Sequence, residues 1–178
     1  MEKNRSTLLR MVKNMENNST RIEISKEYLN FSVGHFTIFD KSHRENLHGH
    51  NYRIAAEIEA PIRDDGLTFD YNLIKRTMKQ LCEKIDEQVL IPEKSPFLSI
   101  DEDNQYVYVL FDKERLPFLK RDITLLPIRN ITVEELSSYF LGRFLAHQAV
   151  KPLPITKVTM KCSSGDGQWA SSDWSQEA

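Results

Sequence analysis

Cysteine is scarce in this chain: Cys82 and Cys162 are its only two among 178 residues, too few for the disulfide framework of a small secreted scaffold. No apolar run approaches the roughly 20 residues that span a bilayer, and no signal-like apolar segment opens the sequence. Both observations lead to the expectation of reduced thiols, a cytoplasmic location and no membrane partner. Positive charge is not in excess either, with 24 Lys and Arg against 26 Asp and Glu. Binding to nucleic acid needs a basic stripe that neutralises phosphates, so nucleic acid is not an expected partner. Repeats and low-complexity tracts are absent. A 40% hydrophobic content over this length suits one domain with a core of its own.

What is present is local order of two kinds. In "ENLHGHNYRIAAEIEA", Tyr52, Ile54, Ala56 and Ile58 share one parity while Arg53, Glu57 and Glu59 share the other, the period of a half-buried strand. "FSVGHFTIFD" has the aromatic and β-branched content of another strand, and "ITKVTMKC" is the last, with Val158, Met160 and Cys162 on one side. Between them, Asp70 as N-cap with Ile74, Met78, Leu81 and Ile85 predicts a helix to about residue 85. "QYVYVLFDKERLPF" predicts a hairpin or two short strands. Thr132 and Glu135 form a capping box before a second helix carrying Leu136, Tyr139, Phe140 and Phe144. Residues 1–20 read as a frayed extension with a weak amphipathic pattern, and 21–178 as one domain. Strands that connect directly, with helices arriving later, predict an antiparallel α+β domain with the helices on one sheet face. The other face needs a second subunit or water, which predicts an oligomer built by extending the sheet.

The chemistry centres on histidine. His48 and His50, two apart on a strand, leave the same face about 7 Å apart at Cα, and His35 lies on a strand able to pair beside them. Three neutral imidazoles with an open fourth position suit a catalytic zinc ion. His43, in a charged loop, and His147, at a helix end where the dipole favours a cation, are weaker ligand choices. Spacing alone leaves open a zinc hydrolase, a lyase or a metal-storing module.

"FSVGHF", "ENLHGHNY", "GLTFDYNLIK", "IDEQVLIP", "LLPIRNITVEELSSYF" and "VTMKCSSGDGQWA" resemble, in order, the landmarks of the 6-pyruvoyl-tetrahydropterin synthase and 6-carboxytetrahydropterin synthase family over about residues 22–170. The resemblance implies a tunnelling fold, an antiparallel four-stranded sheet backing two helices, assembled as trimers that stack into hexamers. It implies Zn2+ on His35, His48 and His50, a dihydropterin substrate, usually 7,8-dihydroneopterin triphosphate, and lyase chemistry. Bacterial members make 6-carboxytetrahydropterin, a queuosine precursor. Where the family has a catalytic cysteine this chain has Arg44, whose guanidinium cannot act as a base. Glu45 instead completes an ExxHGH pattern, like the branch resembling 6-hydroxymethyl-dihydropterin synthase, in which a carboxylate is the base. The family's Asp-His relay is represented by Asp86 and Glu87. Cys162 occupies the place of the glutamate that anchors the pterin ring, and Thr132 and Glu134 fall in the family's second substrate segment. The resemblance thus implies a 6-carboxy-5,6,7,8-tetrahydropterin synthase-like lyase. The altered accessories keep two alternatives open: 6-hydroxymethyl-dihydropterin or 6-pyruvoyl-tetrahydropterin synthesis with Glu45 as base, and a non-catalytic zinc- and pterin-binding paralogue.

Overall fold

The computed structural model describes residues 18–176. The weak amphipathic pattern of the N-terminal extension lies largely outside them, and the extension assigned to 1–20 is already strand at Ser19. Two long strands, β1 (Ser19–His35) and β2 (His48–Pro61), form the antiparallel centre of the fold. Helix α1 (Tyr71–Glu83) follows, and the side chain of Asp70 accepts from the Asn72 N–H at its start as expected. The chain continues through β3 (Gln88–Pro92), β4 (Leu98–Glu102), β5 (Tyr106–Phe111), β6 (Glu114–Leu119) and β7 (Ile123–Leu126). Helix α2 (Val133–Leu145), β8 (Lys157–Gly165) and β9 (Gln168–Ser175) complete it.

The architecture is α+β, as expected, with a larger sheet than expected. Four antiparallel strands, β1, β2, β8 and β9, are extended past β1 by β3 and β7, which pair in parallel, giving the order β7-β3-β1-β2-β8-β9. The parallel additions arise because β3 reaches the edge of β1 after the α1 crossover and β7 reaches β3 after an excursion through a second sheet. That second sheet is the expected β5–β6 hairpin, joined by β4 into three antiparallel strands.

Alternation decides what covers each face. Phe31, Tyr52, Ile54, Ala56, Ile58, Val158, Met160 and Cys162 bury one side against Ile74, Met78 and Leu81 of α1 and Leu136, Phe140 and Phe144 of α2. Leu90 of β3 joins that core, whereas its neighbours Val89 and Ile91 face the other way. There they meet Val107, Val109 and Phe111 of the small sheet, with Phe36 and Ile38. The rest of the outer face is polar: Arg21 bridges Glu57 and Glu59, and Lys161 bridges Glu57 and Glu23.

The capping box of α2 is half formed. Thr132 accepts from the Glu135 N–H at 3.4 Å, but the Glu135 carboxylate takes the Arg129 N–H at 3.0 Å and its guanidinium at 2.9 and 2.5 Å. A charge-assisted forked partner outcompetes the single N–H that a reciprocal box would offer.

Candidate active site

The β1–β2 register places His35 directly opposite His48, and His50 opposite Val33. All three imidazoles therefore leave the helix-covered face at the end of the ladder, in line with Phe31 and Tyr52. Ring centroids are 4.6 Å (His35–His48), 4.8 Å (His48–His50) and 5.3 Å (His35–His50) apart, and one ligand nitrogen from each lies within 4.8 Å of the others. His35 is buried, His48 half-buried and His50 exposed, so the cluster closes inward and opens outward. His43 and His147 are outside it.

The donor set fits a divalent ion such as zinc. Three nitrogens gathered on one side suit an ion that takes imidazole ligands and keeps an open fourth position. The Asn46 carbonyl, 2.8 Å from His48 Nδ1, can only accept, so Nδ1 carries the proton and Nε2 keeps its lone pair, the outer-shell bond expected of a ligand. His35 Nε2 meets the Tyr52 hydroxyl at 3.1 Å. Its Nδ1 is one of two buried side-chain polar atoms without a hydrogen-bond partner among the described residues. Burial, then the neighbouring His48 and His50, lowers the His35 pKa to about 4, which keeps the ring neutral as ligation requires.

Glu45 stands beside the imidazoles. Its Oε2 accepts from the Thr37 N–H at 2.9 Å and lies 4.0 Å from His48 Nε2. Burial alone would raise its pKa, but the bonds from Thr37 and the fields of His48 and His35 outweigh that and hold it below the usual range. The carboxylate is thus ionised and able to take a proton.

A cavity of about 190 Å³ joins these groups. His35, Thr37, Glu45, His48, His50 and Tyr52 line it with Thr132 and Glu134 from the start of α2, and Ser164 from β8. Of the residues expected at substrate, Thr132 and Glu134 are therefore at the wall. Cys162 is not: it is fully buried in the main core with its thiol pKa pushed up by burial. Ser164, two residues on along the same inward parity, takes the position beside the histidines. Sequence reading missed it, although counting two onward from Cys162 would have found it.

Glu87 sits at a second opening, and Asp86 does not line it. A groove of about 760 Å³ runs past Gly34, Gly49, His50, Arg53, Glu87 and Ser164, so His50 and Ser164 border both spaces. Asp86 Oδ1 accepts from the N–H groups of Ser32 (2.7 Å) and Glu87 (3.1 Å). The Glu87 N–H also reaches the Ser32 carbonyl at 2.8 Å. Glu87 is held at φ +58°, a left-handed conformation unusual for a residue with a side chain. Asp86 is thus the anchor of the turn that presents Glu87.

The family model described as 6-pyruvoyl tetrahydropterin synthase matches residues 23–173. The chain belongs to this family. A Methanocaldococcus jannaschii protein provisionally named a 6-carboxy-5,6,7,8-tetrahydropterin synthase is 25% identical over 113 residues, 63% of this chain and 69% of that protein. A Pyrococcus abyssi protein with the same name is 27% identical over 126 residues, 70% and 73% of the two chains. Among solved structures, the Plasmodium falciparum 6-pyruvoyl tetrahydropterin synthase superposes with a TM-score of 0.83 at 25% identity, covering 90% of this chain and 100% of that one. In the described residues no helix is long and apolar enough to cross a membrane.

Proposed function

We propose that this protein is a zinc-dependent lyase acting on the side chain of 7,8-dihydroneopterin triphosphate to form 6-carboxy-5,6,7,8-tetrahydropterin. The observation that carries the reading is the convergence of His35, His48 and His50 on one point beside an ionised Glu45. Zinc, when bound there, supplies a Lewis acid for the hydroxyl oxygens of the side chain.

The chain's own residues do the rest. Glu45 is the general base, within about one water's reach of the imidazole cluster. Tyr52 and the Asn46 carbonyl fix the rings of His35 and His48. Thr132 and Glu134 offer hydrogen-bonding groups to the substrate in the smaller cavity. Glu87, presented by the Asp86-anchored turn, exchanges a proton with substrate that extends into the larger groove, next to His50. The names carried by the curated relatives support the 6-carboxy product, and assembly into a trimer or hexamer belongs to the same reading.

Glu45 favours a second reading, in which the product is 6-hydroxymethyl-dihydropterin or 6-pyruvoyl-tetrahydropterin. Support comes from Plasmodium vivax 6-pyruvoyltetrahydropterin synthase, whose structures include variants with a catalytic glutamate replaced by alanine or cysteine. Incubation of zinc-loaded protein with 7,8-dihydroneopterin triphosphate separates the products by chromatography. The Glu45→Gln variant should lose about 10²- to 10⁴-fold in kcat. Full activity in that variant would refute the base assignment, and zinc binding without turnover would leave a pterin-binding protein.

A further inference from the structure

The three-stranded sheet takes no part in the chemistry above, yet it grips the segment that does. Arg44 is the link. Its side chain is only 13% exposed and lies over the rings of Phe36 and Phe111, at 4.8 and 5.8 Å. Nε and Nη2 donate to Glu114 Oε2 on β6 at 2.9 and 2.5 Å. Nη1 donates to the carbonyl of Glu45 at 2.7 Å. One guanidinium thus joins the small sheet to the backbone of the proposed base, across 70 residues of sequence.

Glu45 is held from several directions. Its N–H donates to the Thr37 carbonyl and its carboxylate accepts from the Thr37 N–H, both at 2.9 Å. Thr37 is steadied in turn, because Asn130 pairs with both backbone groups of Ile38, at 3.1 and 2.8 Å. Arg44 fixes the remaining backbone group of Glu45. A lysine carries the charge but lacks the planar fork that serves two partners at once.

We propose that Arg44 is a positioning residue: with Glu114 it forms a strut from the small sheet that sets where the Glu45 carboxylate stands relative to the three imidazoles. The inference rests on reading Glu45 as the base. Glu114 is 55% exposed, so the pair adds little to overall stability. Its weight falls on alignment, where a shift of about 1 Å can cost roughly 100-fold in rate.

The test compares Arg44→Gln, Arg44→Lys and Glu114→Gln in the full chain. Each should lower kcat by about ten- to a hundredfold with KM little changed and zinc content as in the wild type, and Glu114→Gln should also keep the wild-type melting temperature. Added to Glu45→Gln, Arg44→Gln should cost nothing further, because it acts through Glu45. Hydrogen exchange supplies a readout independent of turnover: amides 37–45 should exchange faster in the strut variants, with the β1–β2 ladder unchanged. Wild-type exchange in that segment would overturn the strut whatever the enzyme does. Faster exchange with full kcat, or an equal further loss in the Glu45→Gln background, would overturn its positioning role. An inactive wild-type protein, or an active Glu45→Gln, would instead count against the proposed function, while exchange would still decide the strut. If Arg44→Gln fails to fold, Arg44→Lys and Glu114→Gln carry the test.

Discussion

Within the β1–β2 ladder, Phe31 faces Tyr52 with rings stacked 5.3 Å apart, and Phe140 of α2 packs against Phe31. Four pairs further along, past Val33 and His50, the same inward positions hold His35 and His48. Tyr52 and Phe31 are 1% exposed and His35 is 4% exposed, whereas His50 is open to solvent. One alternation therefore serves two ends. Where the helices cover the strands it makes a core, and where the cover ends it gathers three imidazoles held by packing behind them. Tyr52 belongs to both, with its ring in the core and its hydroxyl on His35.

The sharpest way to break the contrast is His48→Ala. Elemental analysis should show tight metal lost and pterin turnover abolished with it. The melting temperature of the metal-free protein should barely move, because a half-buried tip residue contributes within about 0.5 kcal/mol. Retention of wild-type metal would remove His48 from the ligand set. The reverse experiment is Phe140→Ala, a fully buried ring. It should cost about 3–5 kcal/mol in urea unfolding, while folded variant still binds metal.

Between the two regions sits His35, whose response to acid measures how far core character reaches the tip. Its folded pKa, about 4, lies below the ordinary 6.5, so the unfolded chain takes up the proton first. Its contribution is complete above about pH 6.5 and is lost as pH falls through about 4, a loss of about 1–3 kcal/mol for metal-free protein. Unfolding midpoints at pH 7.5 and 4.5 should show that slope, and His35→Gln should flatten it. Thr132→Ala should have the smallest effect. Removing the N-cap costs about 1 kcal/mol, seen in thermal unfolding, and it also loosens the cavity wall that Thr132 and Glu134 share.

Period two placed the histidines correctly because it is local: His48, His50 and Tyr52 share a face by parity alone, and only the pairing with β1 had to be inferred. The same count put Val158, Met160 and Cys162 on one side, and that side proved to be the core. Other features were less legible. β9 reads "QWASSDWS", whose small polar residues give no strand signal, and β4 ends in Asp101 and Glu102. The parallel pairing of β3 and β7 depends on crossovers that no short window contains. Glu135 looked like a box partner until Arg129 was placed beside it. Arg44 read only as a missing base, since its partner Glu114 is 70 residues away.

All three imidazoles come from one antiparallel ladder, and none from the helices or the small sheet. A zinc finger collapses when its ion is removed because the ion is its core; here the backbone is already set by strand pairing and by a separate apolar interior. Chelation should therefore empty the pocket without melting the chain, and cobalt or manganese could be loaded into the same frame. The fold would thus outlast the loss of any ion held there, so an intact structure carries no report of whether the pocket is filled.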